Sequence, residues 1–522
     1  MRAILYTGLL SSLAAATQNA QQQCSKLAKK LDIDNATVWF TEYVSAGTNM
    51  SFPDAHPTCT QGAVTVGVDF CRVALYVATS NRSGISMEAW LPSNWTGRFL
   101  STGNGGLNGC LSYSDMAYTV ELGFATVGAN NGHNGTSGAP FLNNPDVVED
   151  FAYRSVHTNV VIGKQISKAF YSKKHTKSYY LGCSTGGRQG FKSAQSFPED
   201  FDGIVAGAPA FNFNNLTSWS GHFYLLTGAP GSPTYLTPAQ WTAVHADIMT
   251  QCDGLDGYLD GILEDPQLCH YRPESLICPP GTPANTSTCL TGTQAATVRA
   301  VFSDLHGANG AFVYPRMQPG TELLGTPYIY FAGQPFPYTT DWFRYVVYND
   351  PAWDPATLGP ADYARADALN PSDIRTWSGD LSRIRARGAK ILHWHGLQDQ
   401  IITSEISPRY YDHVARTMGL PGSTLDEFYR FFRISGTGHC QGGPGASFIG
   451  QGRSAVASLD PEQNVLMAVV RWVEQGKAPE SILGSAVVNG TVVYQRRHCK
   501  YPLRNVYTGK GDPKHPDSWK CV

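Results

Sequence analysis

Charge is what this chain has least of. Only 15% of its 522 residues are Asp, Glu, Lys or Arg, and the formal net charge is −2. A balance so near neutral leaves no basic stripe for phosphates and no field to hold the chain on an anionic lipid surface. Neither nucleic acid nor membrane is therefore an expected partner. Beyond the N-terminus no run is long and apolar enough to span a bilayer. The 12 cysteines contain no Cys-x-x-Cys pair, which excludes the common zinc and dithiol motifs. What is present is globular: 42% hydrophobic residues, with 53 Gly and 32 Pro pointing to a loop-rich exterior. A chain of 522 residues exceeds one compact core, so it calls for one large domain with a substantial insertion, or for two to three domains.

The N-terminus carries an address. Arg2 precedes the largely apolar run Ala3 to Ala16, and Ala14-Ala15-Ala16 offers small residues for cleavage, so residues 1–16 read as a secretory signal peptide. A buried helix is the rival reading, but the Gln-rich stretch that follows (Gln18, Gln21, Gln22, Gln23) breaks its pattern. An even number of cysteines makes disulfides the default in an exported chain. Eight Asn-x-Ser/Thr sequons, at Asn35, Asn49, Asn81, Asn94, Asn134, Asn215, Asn285 and Asn489, mark surface loops open to glycosylation. A secreted, extracellular glycoprotein is expected.

The chain is organised around Gly182-Cys183-Ser184-Thr185-Gly186-Gly187. The β-like run Ser178-Tyr179-Tyr180-Leu181 precedes it and a helix-compatible run from Arg188 follows. Between a strand and a helix, such a turn is a variant of the nucleophile elbow, in which glycines let the backbone fold tightly enough to expose a serine hydroxyl. Ser184 is the candidate nucleophile; an ordinary Gly/Ser turn is the plainer alternative. Upstream, Gly97 to Thr102 reads as a strand entering the Gly-rich loop 103–106. In elbow hydrolases such a loop donates one backbone NH to the oxyanion and the residue after the nucleophile donates the other. Those roles fall to Gly105, within that run, and to Thr185. His157 lies on a segment of helical spacing, Phe151 to Tyr171, and reads as a packed or solvent-facing side chain rather than a catalytic one.

From about residue 211 to residue 387 the texture changes to aromatic and Pro-rich, without the strand and helix alternation of its flanks. This stretch reads as an inserted lid. Its aromatics, among them Trp219, Tyr328, Tyr330, Phe331, Trp342 and Trp353, can wall a pocket for a flat substrate or form the lid's own core. Inside it, Cys252 to Asp265 holds Asp253, Asp256 and Asp260 at offsets of three and four, separated by glycines. With the carbonyls of Tyr258 and Ile262, these offer hard oxygen ligands suited to Ca2+, although the spacing is not that of an EF-hand. A solvated acidic turn is the alternative. A Cys252–Cys269 bridge would clip this loop shut, so a structural ion is expected.

The α/β pattern then resumes. Ala389 to Gly396 reads as a strand with Asp399 on the turn leaving it, and Phe428 to Ile434 as a further strand running into Gly436-Thr437-Gly438-His439. A carboxylate and a histidine just past successive strand ends are where the remaining members of a triad are expected. The order Ser184, Asp399, His439 is that of α/β-hydrolases. Cys183 precedes the candidate nucleophile and Cys440 follows the candidate base, so a Cys183–Cys440 bridge would hold the two together. The expected architecture is an α/β-hydrolase catalytic domain, residues 17–210 and 388–522, with a lid over 211–387.

At this point Cys183-Ser184, Asp399, His439-Cys440, the Asp loop and the twelve cysteines resemble the fungal tannase and feruloyl esterase family. The runs Ser-Thr-Gly-Asn-Gly-Gly and Gly-Cys-Ser-Thr-Gly-Gly-Arg-Gln-Gly, with the ending His498-Cys499-Lys500-Tyr501-Pro502, look most like its type B feruloyl esterases. The resemblance implies structural calcium at Asp253, Asp256, Tyr258, Asp260 and Ile262. It also implies bridges 24–71, 59–110, 183–440, 252–269, 278–289 and 499–521. By the same resemblance, the expected activity is hydrolysis of feruloyl and related hydroxycinnamoyl esters of plant cell-wall polysaccharides such as xylan. A tannase cleaving galloyl esters, and a non-catalytic secreted binding glycoprotein, are the other readings.

Overall fold

The computed structural model describes residues 20–60, 62–282, 287–324 and 329–522, so the signal segment 1–16, the Asn285 sequon and Tyr328 lie outside the described residues. Nine strands form the central sheet: β1 Ala36–Val44, β2 Phe70–Ala78, β3 Gly84–Pro92, β4 Arg98–Thr102, β5 Phe124–Ala129, β6 Lys177–Cys183, β7 Gly203–Gly207, β8 Lys390–Gly396 and β9 Tyr429–Ile434. Their order is β1-β2-β3-β5-β4-β6-β7-β8-β9. The first three pairings are antiparallel. The remaining five are parallel. The fold is therefore mixed α/β with a large, mostly parallel central sheet.

The parallel strands read as near-continuous apolar runs because both of their faces are covered. The two-residue pleat sorts them into two sets. Leu100, Tyr179, Leu181, Val205, Leu392, Trp394, Phe432 and Ile434 pack with Val465, Leu466, Val469 and Trp472 of helix Val465–Gln475. The alternate residues Phe99, Tyr180, Ile204, Ile391, Tyr429 and Phe431 belong to the larger core on the other face. That core also holds the apolar stripes of α1 Ser155–Tyr171, α2 Thr185–Ser196 and α3 Ile406–Met418. His157 hydrogen-bonds Asp200 at 2.9 Å and stacks on Phe197, a packed role.

Residues 211–387 lack the strand and helix alternation of their flanks but carry several helices, among them Phe213–Thr227, Pro238–Cys252, Gly292–Val301 and Pro360–Leu369. Thr237 with Gln240, and Thr291 with Gln294, close capping boxes at two of these helix starts, a signal present in the sequence and masked by the Pro and aromatic content. The segment does not pack as a separate body. Trp219, Trp241, Phe331, Trp342 and Tyr363 share one apolar core with the sheet. Tyr330 Oη donates to Ile401 O at 2.6 Å, and Lys192 pairs with Asp373 at 2.7 Å. Trp219, Tyr330, Phe331, Trp342 and Trp353 are all buried.

Six disulfides join 24–71, 59–110, 183–440, 252–269, 278–289 and 499–521, the pairings that the resemblance implies. Of the described sequon asparagines all are exposed except Asn215, which is half-buried on helix Phe213–Thr227. Among the described residues no helix is long and apolar enough to cross a membrane.

Candidate active site

Ser184 sits where β6 ends and α2 begins, with φ 66° and ψ −123°. A serine with positive φ is strained by about 1–3 kcal/mol, and here three backbone bonds impose it. Ser184 N donates to Gly207 O at 2.9 Å, and Ser184 O accepts from Arg188 N at 3.0 Å and Ala210 N at 3.1 Å. Close backbone approach explains the glycines around it. A Cβ on Gly187 would lie 2.2 Å from Gly207 O, and one on Gly103 would lie 2.7 Å from Gly186 Cα.

Asp399 and His439 follow adjacent parallel strands, β8 and β9, and meet past their C-terminal ends. Asp399 Oδ2 accepts from His439 Nδ1 at 2.7 Å, while Oδ1 accepts from Ile401 N and Ile402 N, each at 2.8 Å. Burial by itself would raise this carboxyl. The charge of His439 and the hydrogen bonds from His395 and His439 outweigh it and hold Asp399 well below the usual carboxylate range. With Nδ1 facing a carboxylate, that nitrogen carries the hydrogen and Nε2 keeps the lone pair a base needs. His439 N donates to Gln400 Oε1 at 3.0 Å, which anchors its loop to the Asp399 turn. Among the described residues Ser184 Oγ makes no hydrogen bond to His439. What ties their segments is the Cys183–Cys440 disulfide, with a Cα–Cα distance of 5.9 Å.

Ser184 and Thr185 open on a largely apolar pocket walled by Phe213, Tyr330, Phe336 and Tyr338 from the insertion and by Ile401 and Ile402. Gly106 and Leu107 complete it, and Thr185 Oγ1 donates to Gly106 O at 2.7 Å. Gly105 lines instead a neighbouring cleft beside Cys183 and Cys440, so within the 103–106 loop it is Gly106 that borders the pocket of Ser184. In the sequence nothing separates Phe336 and Tyr338 from the other aromatics of the insertion.

A buried amide network holds the Gly-rich loop against the elbow helix. Gln189 Oε1 accepts from Asn104 N at 3.0 Å, and Gln189 Nε2 donates to Asn104 Oδ1 at 3.1 Å and to Asn131 Oδ1 at 2.8 Å. Asn104 Nδ2 in turn donates to Cys110 O at 2.9 Å and Ala129 O at 2.8 Å. Gln189 and Asn131 stand out little in the sequence. The one available signal was Gln189 lying a helical turn past Thr185, where an apolar residue is the usual occupant.

In the Asp loop, Asp253 accepts from Gly261 N at 3.1 Å, Asp256 from Tyr258 N at 3.0 Å and Asp260 from Ile262 N at 3.2 Å. The carboxylates thus turn onto their own backbone, and among the described residues no three His, Cys, Asp or Glu side chains gather as a metal cluster. The donor chemistry nevertheless fits a hard cation. Burial, followed by repulsion from Glu264 and Asp260, pushes Asp256 up to about 7, and burial raises Asp253 as well. Arg496 reaches only Asp260, at 2.8 Å, and Glu264. The acidic charge of the loop therefore exceeds its cationic partners. Asp253, Asp256 and Asp260, with the carbonyls of Tyr258 and Ile262, are the groups that would hold such an ion.

Fold and site together define a mixed α/β protein in which a serine on a strained strand-to-helix turn and a histidine paired with a buried aspartate lie at the C-terminal ends of parallel strands of one sheet. The chain belongs to the tannase and feruloyl esterase family, whose model, described as "Tannase and feruloyl esterase", matches residues 71–522. It is 57% identical over 517 residues, 98% of each chain, to a protein from Aspergillus terreus named probable feruloyl esterase B-2. It is also 57% identical over 508 residues, covering 97% of this chain and 95% of the other, to feruloyl esterase C of Talaromyces stipitatus. The crystal structure of feruloyl esterase B from Aspergillus oryzae matches with a TM-score of 0.94 and 54% identity, over 96% of this chain and 100% of that one. Tannin acyl hydrolase from Aspergillus niger matches with a TM-score of 0.75 at 21% identity, over 96% of this chain and 95% of that one, a likeness of fold alone.

Proposed function

We propose that this chain is a secreted feruloyl esterase, a carboxylic ester hydrolase with an α/β-hydrolase fold, residues 17–210 and 388–522, and a lid over 211–387. The observation that carries this reading is the near-full-length identity of more than half to proteins named feruloyl esterases. The apolar, aromatic-walled pocket at Ser184 supports it, because a flat phenolic acyl group is recognised by ring packing.

The residues support an acyl-enzyme route. His439 Nε2 takes the proton from Ser184 Oγ as the oxygen attacks the ester carbonyl, and Asp399 stabilises the imidazolium that forms. The Thr185 NH and an NH of the Gly-rich loop stabilise the oxyanion. His439 then protonates the leaving alcohol, and water, activated by the same imidazole, releases the acid. Base and nucleophile come within bonding reach when the ester is bound. A Ca2+ ion held by Asp253, Asp256 and Asp260 with the carbonyls of Tyr258 and Ile262 would compensate the charge of this loop and brace the insertion, apart from the reaction. The natural substrates are hydroxycinnamate esters of plant cell-wall polysaccharide, and the protein acts outside the cell, in keeping with six disulfides.

The test is initial rates on methyl ferulate, methyl caffeate and methyl gallate for wild type and Ser184→Ala. Serine-dependent turnover led by the cinnamates is the expected result. Gallate in the lead would move the assignment to a tannase, and no turnover on any of the three would overturn an esterase function.

A further inference from the structure

Behind the Asp399–His439 pair lies a chain of buried polar groups that hydrolysis does not use directly. His393 and His395 are two residues apart on β8, so both face the same side of the sheet, and both are fully buried. Ser407, on α3, and Tyr429, at the start of β9, are buried beside them. Four contacts join these groups to the carboxylate. His395 Nε2 lies 3.1 Å from Asp399 Oδ2, and Ser407 Oγ lies 2.6 Å from His395 Nδ1. His393 Nε2 lies 2.9 Å from Ser407 Oγ, and Tyr429 Oη lies 2.9 Å from His393 Nδ1.

The end nearest Asp399 determines the direction of the whole chain. His395 Nε2 faces two groups that can only accept, Asp399 Oδ2 and the carbonyl of Ile402, also at 3.1 Å. Nε2 must therefore carry hydrogen. In the neutral imidazole Nδ1 is then bare, so the Ser407 hydroxyl donates to it. The Ser407 oxygen is left to accept from His393 Nε2–H, and His393 Nδ1 accepts the phenol hydrogen of Tyr429. Burial holds His393 well below the usual histidine range, which keeps it in this neutral, one-hydrogen form. Every hydrogen in the chain points toward Asp399.

We propose that His395, held by the acceptors at its Nε2 and by the Ser407 hydroxyl donating to its Nδ1 at the end of the His393–Tyr429 chain, is a positioning residue that shares the Asp399 carboxylate with His439 and so sets the base strength of His439. This rests on the reading of Asp399 and His439 as the acid and base of an esterase. The titratable groups facing Asp399 are His395 from β8, His439 from the loop after β9, and Tyr314 and Tyr330 from the insertion. Of these, His395 is the one besides His439 that donates directly to the carboxylate. Without that donor the carboxylate presents more uncompensated charge to His439, the imidazolium is favoured, and the pKa of the base rises. A packing role alone would lower the melting temperature and leave that pKa where it is.

The experiment is the pH profile of kcat/KM on methyl ferulate for wild type, Ser407→Ala, Ser407→Thr and Tyr429→Phe. Beside it, 15N NMR of histidine-labelled protein reads the imidazole tautomers without any need for turnover. In Ser407→Ala the acid limb should move up by about 0.5–1 pH unit, since the bond lost joins Ser407 to the neutral His395 ring and an ordinary hydrogen bond is worth about that much. In Tyr429→Phe it should move the same way by less, and Ser407→Thr, which keeps the hydroxyl, should restore it. The spectra should show His393 and His395 with hydrogen on Nε2. An acid limb unmoved in both Ser407→Ala and Tyr429→Phe, or a His395 with hydrogen on Nδ1, would overturn the proposal. If Ser407→Ala does not fold, Tyr429→Phe, which removes a single oxygen at the far end, decides. Failure of the esterase reading itself looks different: turnover would survive Ser184→Ala or be absent from wild type, and the tautomers would still judge the chain.

Discussion

Replacing both Cys183 and Cys440 by alanine removes the one covalent link between the elbow and the histidine loop. The bridge closes a sequence separation of 257 residues. In the chain-entropy model a loop of that length is worth about 5.5 kcal/mol at 25 °C, an upper figure because unfolded chains retain structure. A chain of 522 residues unfolds with an entropy of about 1.1 kcal/mol/K at the common per-residue value. The double variant should therefore melt only about 5 °C lower. The cost to turnover should be far larger. Ser184 has no hydrogen bond to His439, so their register depends on this bridge, and a displacement of about 1 Å between reacting groups costs on the order of 100-fold. The assay is kcat/KM on methyl ferulate at 25 °C, well below the melt, alongside a thermal denaturation curve. Turnover within twofold of wild type would refute the reasoning, because it would mean that the surrounding loops alone hold nucleophile and base in register.

The other predictions follow from single contacts. Ser184→Ala should fold with an unchanged melt and lose nearly all turnover; appreciable serine-independent hydrolysis would reject the nucleophile. Asp399→Asn should lower kcat by about 10^4 through the wrong imidazole tautomer, as carboxylate-to-amide changes do in such triads. Because the folded pKa of Asp399 is depressed, its contribution to stability is full above about pH 5 and fades as pH falls. The Asn variant should therefore show a shallower acid arm when melting temperature is plotted against pH. Gln189→Ala leaves Asn104 N and Asn104 Oδ1 without a partner and Asn131 Oδ1 with Ser155 Oγ alone, which should cost about 2–4 kcal/mol in denaturant melts and lower kcat by loosening the Gly-rich loop. Excess chelator should lower the melting temperature if calcium occupies the Asp253–Ile262 loop, and restored calcium should recover it; an unchanged melt counts against the ion.

Much of the molecule was legible along the chain. The strands leading to Ser184, Asp399 and His439 are short apolar runs ending in glycine or acidic turns, and a parallel strand buried on both faces has few other ways to be written. Their order in sequence pointed to a catalytic set, and the elbow glycines marked where backbone must approach backbone. The insertion was less legible. Its prolines and aromatics hid helices whose Thr-x-x-Gln caps were in plain view, and its aromatics gave no clue that Phe336 and Tyr338 border the pocket while Trp219 and Trp342 are buried core.

By itself, then, the sequence determined the local chemistry: which turn can carry an exposed serine, which residues follow strand ends, and which loop is rich in hard oxygen donors. Each of these depends on residues close together in the chain. Tertiary structure decided everything that depends on a partner distant in sequence. His395 reads as a strand residue until β8 and β9 pair and α3 covers them, which brings Ser407 and Tyr429 to its neighbour His393 and turns its own Nε2 onto Asp399. Gly106 rather than Gly105 borders the pocket because of how the loop turns at Gly106, where φ is 53°. A hydrogen bond needs a partner within about 3 Å and along a fixed direction, and neither is written in the spacing of residues along a chain.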